Sequence, residues 1–170
     1  MTDADRPEAA AGDHAPYADA DAAARTVRRR EWMGLLARAP VDRLKALWAP
    51  FEPAPAFGWL RAPEIGGVMV RGRAGASGAP FNLGEMTVTR AAVRLECGAV
   101  GHAHVQGRDR DKARIAALVD ALMQTSRSGE VEAALLAPLA AEETDRRRAR
   151  AARAAATKVD FLTLMRGEDA

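Results

Sequence analysis

Met86-Thr-Val-Thr-Arg-Ala-Ala-Val-Arg-Leu95, followed by Glu96-Cys-Gly-Ala99 and Val100-Gly-His-Ala-His-Val-Gln-Gly107, is the stretch whose reading decides the fold. Its first run alternates with a period of two, the repeat of a β-strand. Met86, Val88, Arg90, Ala92 and Arg94 fall on one face, and Thr87, Thr89, Ala91, Val93 and Leu95 on the other. Glu96–Ala99 is short enough for a hairpin turn, and the run from Val100 returns beside the first. Upstream, Val68-Met-Val-Arg-Gly-Arg73 is another β-type run. Three strands in succession with no helix between them predict an antiparallel sheet of at least three strands.

Helical periodicity surrounds this sheet. Downstream, Asp109 is placed to cap a helix, and Asp111 adds negative charge at its positive end. Ile115, Leu118, Val119, Leu122 and Met123 then form one apolar stripe, with Gly129 expected to close the helix. Upstream, Ala22–Ala39 reads as a helix with Val27, Trp32, Leu35 and Leu36 as its apolar positions. Pro40 punctuates it, and Val41, Leu44, Leu47 and Trp48 predict a short second helix. Pro50 to Pro55 is a connector. Val131–Leu136 predicts a further helix broken or kinked at Pro138, and Glu142–Ala156 a charged helix without a strong apolar stripe. The expected class is α+β: N-terminal helices, the sheet, a packed amphipathic helix, then a C-terminal helical arm (about 141–170) ending in an apolar tail. Residues 1–20 lack periodicity and are expected to form a disordered acidic extension, leaving one domain over 21–170.

Composition narrows the function. At 170 residues with a single cysteine, Cys97, no intramolecular disulfide framework is available, which fits a reducing cytoplasm. The acidic start does not read as a signal peptide, and no apolar run is long enough to span a membrane. The net charge of +2 divides unevenly: residues 1–24 hold six acids and one base, so the remainder is strongly basic. Of 25 basic residues only Lys45, Lys112 and Lys158 are lysine. Arginine is the better bidentate partner of oxyanions, but an arginine- and alanine-rich coding bias accounts for the total, so each arginine is judged by position.

No self-contained catalytic constellation emerges. His102 and His104 lie two apart on a strand and share a face, a pair that holds Zn²⁺ only if a carboxylate or Cys97 completes the shell. The alternative is two polar residues facing solvent or a subunit boundary. Arg71, Arg73, Arg90 and Arg108 flank the sheet as candidate anion or shared-site contacts. The glycine-rich stretch Arg71–Glu85 lacks the order of a phosphate loop and joins strand to strand, so it is expected to be a flexible connector. Ser77 has no local histidine. The run Arg146-Arg-Arg-Ala-Arg lies beside the acids Glu142, Glu143 and Asp145 and lacks aromatics, as a solvated helix face does, so no nucleic-acid partner is expected. A stand-alone anion- or nucleotide-binding module without catalysis is one reading of such a chain.

A second reading comes from resemblance. Arg30-Glu-Trp-Met-Gly-Leu-Leu-Ala37, Leu60-Arg-Ala-Pro-Glu-Ile-Gly66, Val88-Thr-Arg-Ala-Ala-Val-Arg-Leu95, Val105-Gln-Gly-Arg-Asp109, Ala121-Leu-Met-Gln124, Ala137-Pro-Leu139 and Val159-Asp-Phe-Leu-Thr-Leu-Met-Arg-Gly167 resemble, in order, the PhnG subunit family of the bacterial carbon–phosphorus lyase machinery. The resemblance runs from about residue 28 to the end and leaves out the acidic extension. It implies a subunit that acts with PhnH, PhnI and PhnL, the phosphonate displacing adenine from the ribose C1 of ATP. PhnJ, a radical enzyme with an iron–sulfur cluster and S-adenosylmethionine, acts later. The resemblance implies a hetero-oligomeric core with two copies of this chain, packed most directly on PhnI. No cofactor is expected on this chain itself, ATP and methylphosphonate being substrates of the assembly. The apolar tail residues Phe161, Leu162, Leu164 and Met165 are the expected partner interface.

Overall fold

The computed structural model describes residues 16–157. The tail residues Phe161, Leu162, Leu164 and Met165 and most of the acidic extension lie outside the described residues. Helix α1 (Pro16–Arg38) is followed by α2 (Val41–Trp48) and a single 3-10 turn (Ala49–Phe51). Strands β1 (Phe57–Arg73), β2 (Pro80–Leu95) and β3 (Val100–Gln106) come next. They form one antiparallel sheet in the order β1-β2-β3. Helix α3 (Arg110–Leu122) then crosses the sheet, and α4 (Ser128–Val131) leads through a π-turn (Glu132–Leu136) into α5 (Ala137–Ala156). The α+β class and the order of elements agree with the periodicities. No helix among the described residues is long and apolar enough to cross a membrane.

Of the two faces that the alternation separates, the one carrying Thr89, Ala91, Val93 and Leu95 packs on the core. Thr89, Ala91, Val93 and Leu95 of β2 and Ala103 and Val105 of β3 are buried beneath α3. Helix α3 is apolar almost all round because α1, α2 and the α4–α5 segment enclose its other sides. Its start is fixed as the cap chemistry requires: Asp109 Oδ1 accepts the Lys112 amide at 2.7 Å. Lys45 of α2 reaches Asp109 and Asp111 at 3.3 Å each, tying α2 to the same end. Alanine at positions 113, 116, 117 and 121 lets the helix lie close to the sheet. The approach is tightest at Gly101, where a Cβ would overlap the Ala117 carbonyl oxygen and come within 2.6 Å of the Ala121 nitrogen.

One buried carboxylate joins three elements. Asp120 of α3 is fully buried and accepts from Arg29 Nε at 3.0 Å, Arg29 Nη2 at 2.6 Å and Trp32 Nε1 at 2.9 Å. It also accepts the His102 backbone amide at 2.8 Å. Arg29 and Trp32 are three apart and so lie on one face of α1. Val100, on the same open edge of β3, has its carbonyl capped by Arg29 Nη2 and Gln124 Nε2. The edge strand is thus covered by side chains along this stretch rather than left for pairing with another chain.

Four expectations require correction. Helix α1 starts at Pro16 rather than at the expected Ala22; proline is well suited to a first turn, whose N–H groups have no partner anyway. Arg71–Glu85 is no loose connector, because pairing continues to Arg73↔Pro80 and only the tip turns, with Gly75 at φ 57°. Ladder hydrogen bonds need no side chains, and the glycines are shielded by neighbours, Leu83 lying over Gly72 and Glu85 over Gly67. Strand β1 correspondingly begins at Phe57, with Pro63 accommodated in a register irregularity between Arg61 and Glu64. Finally, α3 ends at Leu122, before Gly129, which lies in the first turn of α4, and the break or kink expected at Pro138 takes the form of a change from π to α geometry at Ala137. The π-turn before it absorbs the mismatch, with the Ala137 amide bonding back to the Glu132 carbonyl.

Strand β3 pairs only with Val88–Arg94, so from Gly67 and Thr87 outward β1 and β2 project as a two-stranded ribbon. Val68, Met69, Phe81 and Leu83 are exposed along it.

Two substitutions test this packing. Gly101→Ala forces α3 away from the sheet and is expected to lower stability by about 3 kcal/mol or more. Asp120→Ala leaves a guanidinium, an indole N–H and an amide without their acceptor, with an expected loss of about 3–5 kcal/mol. Urea denaturation of each variant, read by far-UV circular dichroism, checks both; a wild-type midpoint in either contradicts the arrangement.

Candidate functional site

The outer face of the sheet carries the site. In register, Arg90 of β2 lies opposite His104 of β3 and Ala92 opposite His102, so the inward residues Gly101, Ala103 and Val105 leave both imidazoles outside. On the other side of β2, Glu64 of β1 pairs with Arg90 and Arg61 with Ala92. All three strands therefore contribute to one concavity of about 440 Å³, lined by Leu60, Arg61, Arg90, Ala92, His102 and His104. A larger, mostly apolar hollow of about 570 Å³ runs between α1 and β3, bordered by Met33, Ala37, Val105 and the same two histidines. The histidine pair sits on the rim between them.

Charge in the concavity is organised around Glu64. Its Oε1 accepts from Arg61 Nη1 at 2.6 Å and from Arg90 Nη2 at 2.9 Å. One carboxylate oxygen thus serves two guanidinium groups, each of which has five N–H donors. Arg90 Nε is buried and has no acceptor among the described residues. Burial lowers the His104 pKa below its ordinary value, and the nearby Arg90, His102 and Arg61 lower it further. At neutral pH His104 is an uncharged ring beside two permanent cations.

Of the four arginines singled out in the sequence, only Arg90 joins the histidines. Arg71 and Arg73 lie near the ribbon tip, opposite Asn82 and Pro80. Seven residues of strand, roughly 23 Å, separate Arg71 from Glu64. Arg73 Nη1 is engaged by the Gly78 carbonyl at 2.9 Å. Arg108 is exposed in the loop after β3. Arg61 and Glu64 were missed because the register irregularities on either side of Arg61, at Leu60 and at Pro63, hide which face each occupies; their presence in the Leu60–Gly66 block was the available signal. No third His, Cys, Asp or Glu joins the histidine pair as a metal cage among the described residues. Cys97 is exposed in the β2–β3 turn. On α5, Arg146 and Arg147 are engaged by Glu143, and Arg43 of α2 by Glu142, an arrangement of exposed ion pairs.

The lowered His104 pKa fixes the sign of a pH effect. Between its folded value and about 6.5 the unfolded ring binds a proton that the folded ring does not, so stability falls as pH is lowered through that window. His104→Gln is expected to flatten this part of the stability profile. Urea midpoints measured across the window check it, and an identical slope in the variant contradicts it.

Comparison with known proteins places this sequence in a family. The model of the family described as phosphonate metabolism protein PhnG matches residues 27–167. The chain is also similar to the alpha-D-ribose 1-methylphosphonate 5-triphosphate synthase subunit PhnG of Rhizobium meliloti (strain 1021). The two are 47% identical over 142 residues, which cover 84% of this chain and 91% of the relative. The matched span takes in the sheet, the Asp120 hub and the outer-face concavity, and this chain belongs to the PhnG family.

Proposed function

We propose that this chain is a non-catalytic, required subunit of the synthase that makes ribose 1-methylphosphonate 5-triphosphate in organic phosphonate catabolism. The observation that carries the reading is the match over nearly the whole chain to a relative named as a subunit of that synthase. In the reaction, an oxygen of methylphosphonate forms a bond to the ribose C1 of ATP. The bond from C1 to adenine breaks, and adenine leaves with a proton. The leaving base and the developing positive charge at C1 need acid–base and electrostatic help. The partners PhnI, PhnH and PhnL supply it, with PhnI the most direct neighbour. Two copies of this chain are held in a cytoplasmic core complex. PhnJ, with its iron–sulfur cluster and S-adenosylmethionine, acts on the product.

A partner-dependent role is supported by the projecting ribbon. A two-stranded ribbon is marginal by itself in water, and contiguous exposed apolar residues mark protein contacts. Val68, Met69, Phe81 and Leu83 are exposed as such a contact requires, and the apolar sequence residues Phe161, Leu162, Leu164 and Met165, outside the described residues, are proposed as a further partner contact.

The purified chain, mixed with ATP and methylphosphonate, is expected to release no adenine above the uncatalysed background. Chromatographic detection of adenine checks this, and sustained turnover by the chain alone overturns the reading.

A further inference from the structure

We infer that the outer-face concavity between Arg61, Arg90 and His104 binds a tetrahedral phosphorus oxyanion, with Glu64 holding the two guanidinium groups together until that ligand competes for them. Three features lead to this ligand class. First, the donors approach from three strands: Arg61 from β1, Arg90 from β2, and His102 and His104 from β3. Two guanidinium groups and two imidazoles side by side on one face offer more donors than a planar carboxylate accepts, and a tetrahedral phosphorus group brings three acceptor oxygens. Second, a planar carboxylate is already present and satisfies few of the donors. The described hydrogen bonds engage one nitrogen of Arg61 and one of Arg90, both through the same Glu64 oxygen. A buried donor without an acceptor is costly, and Arg90 Nε is such a donor. Third, a ligand that displaces Glu64 must exceed its single negative charge, as phosphate and phosphonate dianions do. Arginine forks match such oxyanions bidentately. Leu60 and Ala92 in the lining offer apolar contact to a small substituent on phosphorus.

The choice of phosphorus over another tetrahedral oxyanion rests on the synthase reading; the anion site itself rests on the geometry. The two are tested apart, because binding is read on the full chain alone and synthase function in the assembled system. The probes are inorganic phosphate, methylphosphonate, sulfate and acetate. In wild-type protein, phosphate and methylphosphonate are expected to slow phenylglyoxal modification of Arg61 and Arg90, read by peptide mass spectrometry. Arg71 at the ribbon tip is the internal control and is not slowed. Titration calorimetry is expected to show binding weakened about tenfold or more by Arg61→Gln or Arg90→Gln. Glu64→Gln is expected to tighten binding, since it removes the internal competitor. Equal modification rates with and without phosphate overturn the site, and this result does not depend on any variant folding. Weaker binding in Glu64→Gln overturns the competing role of Glu64. Protection by acetate equal to that by phosphate overturns the tetrahedral assignment, and equal protection by sulfate overturns selection for phosphorus.

Discussion

A carboxylate sealed in the core sets the geometry of this protein. Asp120 stands in the middle of a helix that is buried on nearly every side, and its two oxygens collect an arginine fork, an indole N–H and a backbone amide. A buried charge is tolerable only when its hydrogen-bonding capacity is filled, and here donors from α1 and β3 fill it. The consequence reaches the opposite face of the sheet. Because Asp120 grips the His102 amide from the edge, the pleat that points Gly101 and Ala103 inward is held in register. The imidazoles of His102 and His104 are thereby presented outward beside Arg90. Close packing at Gly101 enforces the same register from behind, since no side chain fits between β3 and α3. The core and the outer-face site are two sides of one constraint.

Around that hub the molecule divides into a tightly packed body and a projecting ribbon. The body buries α3 between the sheet and the surrounding helices. The ribbon extends two of the three strands beyond the reach of any helix, with apolar side chains in solvent. This division suits a chain that completes its surface on another protein.

Much of this was legible in local sequence, and what was not shares a physical cause. The alternation in Met86–Leu95, the Glu96–Ala99 turn, the Asp109 cap and the Ile115–Met123 stripe are short-range signals, and each lies in the kind of element it predicts, although β2 starts earlier, at Pro80, and α3 ends earlier, at Leu122. The alternation separated the two faces of β2, and the packing of α3 identifies Thr89, Ala91, Val93 and Leu95 as the inward set. Strand β1 was underestimated because glycines and Pro63 mask its period, while its stability comes from pairing with β2. The same irregularities concealed Arg61 and Glu64 beside Arg90. Asp120 gave no sign of its role either: an acid in an amphipathic helix looks solvent-facing until α1 and β3 are seen to converge on it. Arg71 and Arg73 were grouped with Arg90 by proximity in sequence to the sheet, but a straight ribbon carries them away from it. The Val131–Leu136 helix continues past Pro138 because a π-turn, which leaves no simple periodic signature, takes up the missing hydrogen bond.

The central claim is that this chain completes a synthase rather than acting as a separate catalyst. It is tested most directly by titrating the purified chain into a fixed amount of its partner subunits and measuring initial rates of adenine release from ATP and methylphosphonate. The account predicts no rate without the chain, a linear rise with added chain, and a plateau at one chain per partner protomer. A full rate at a small fraction of that stoichiometry, or a full rate with the chain omitted, would contradict it.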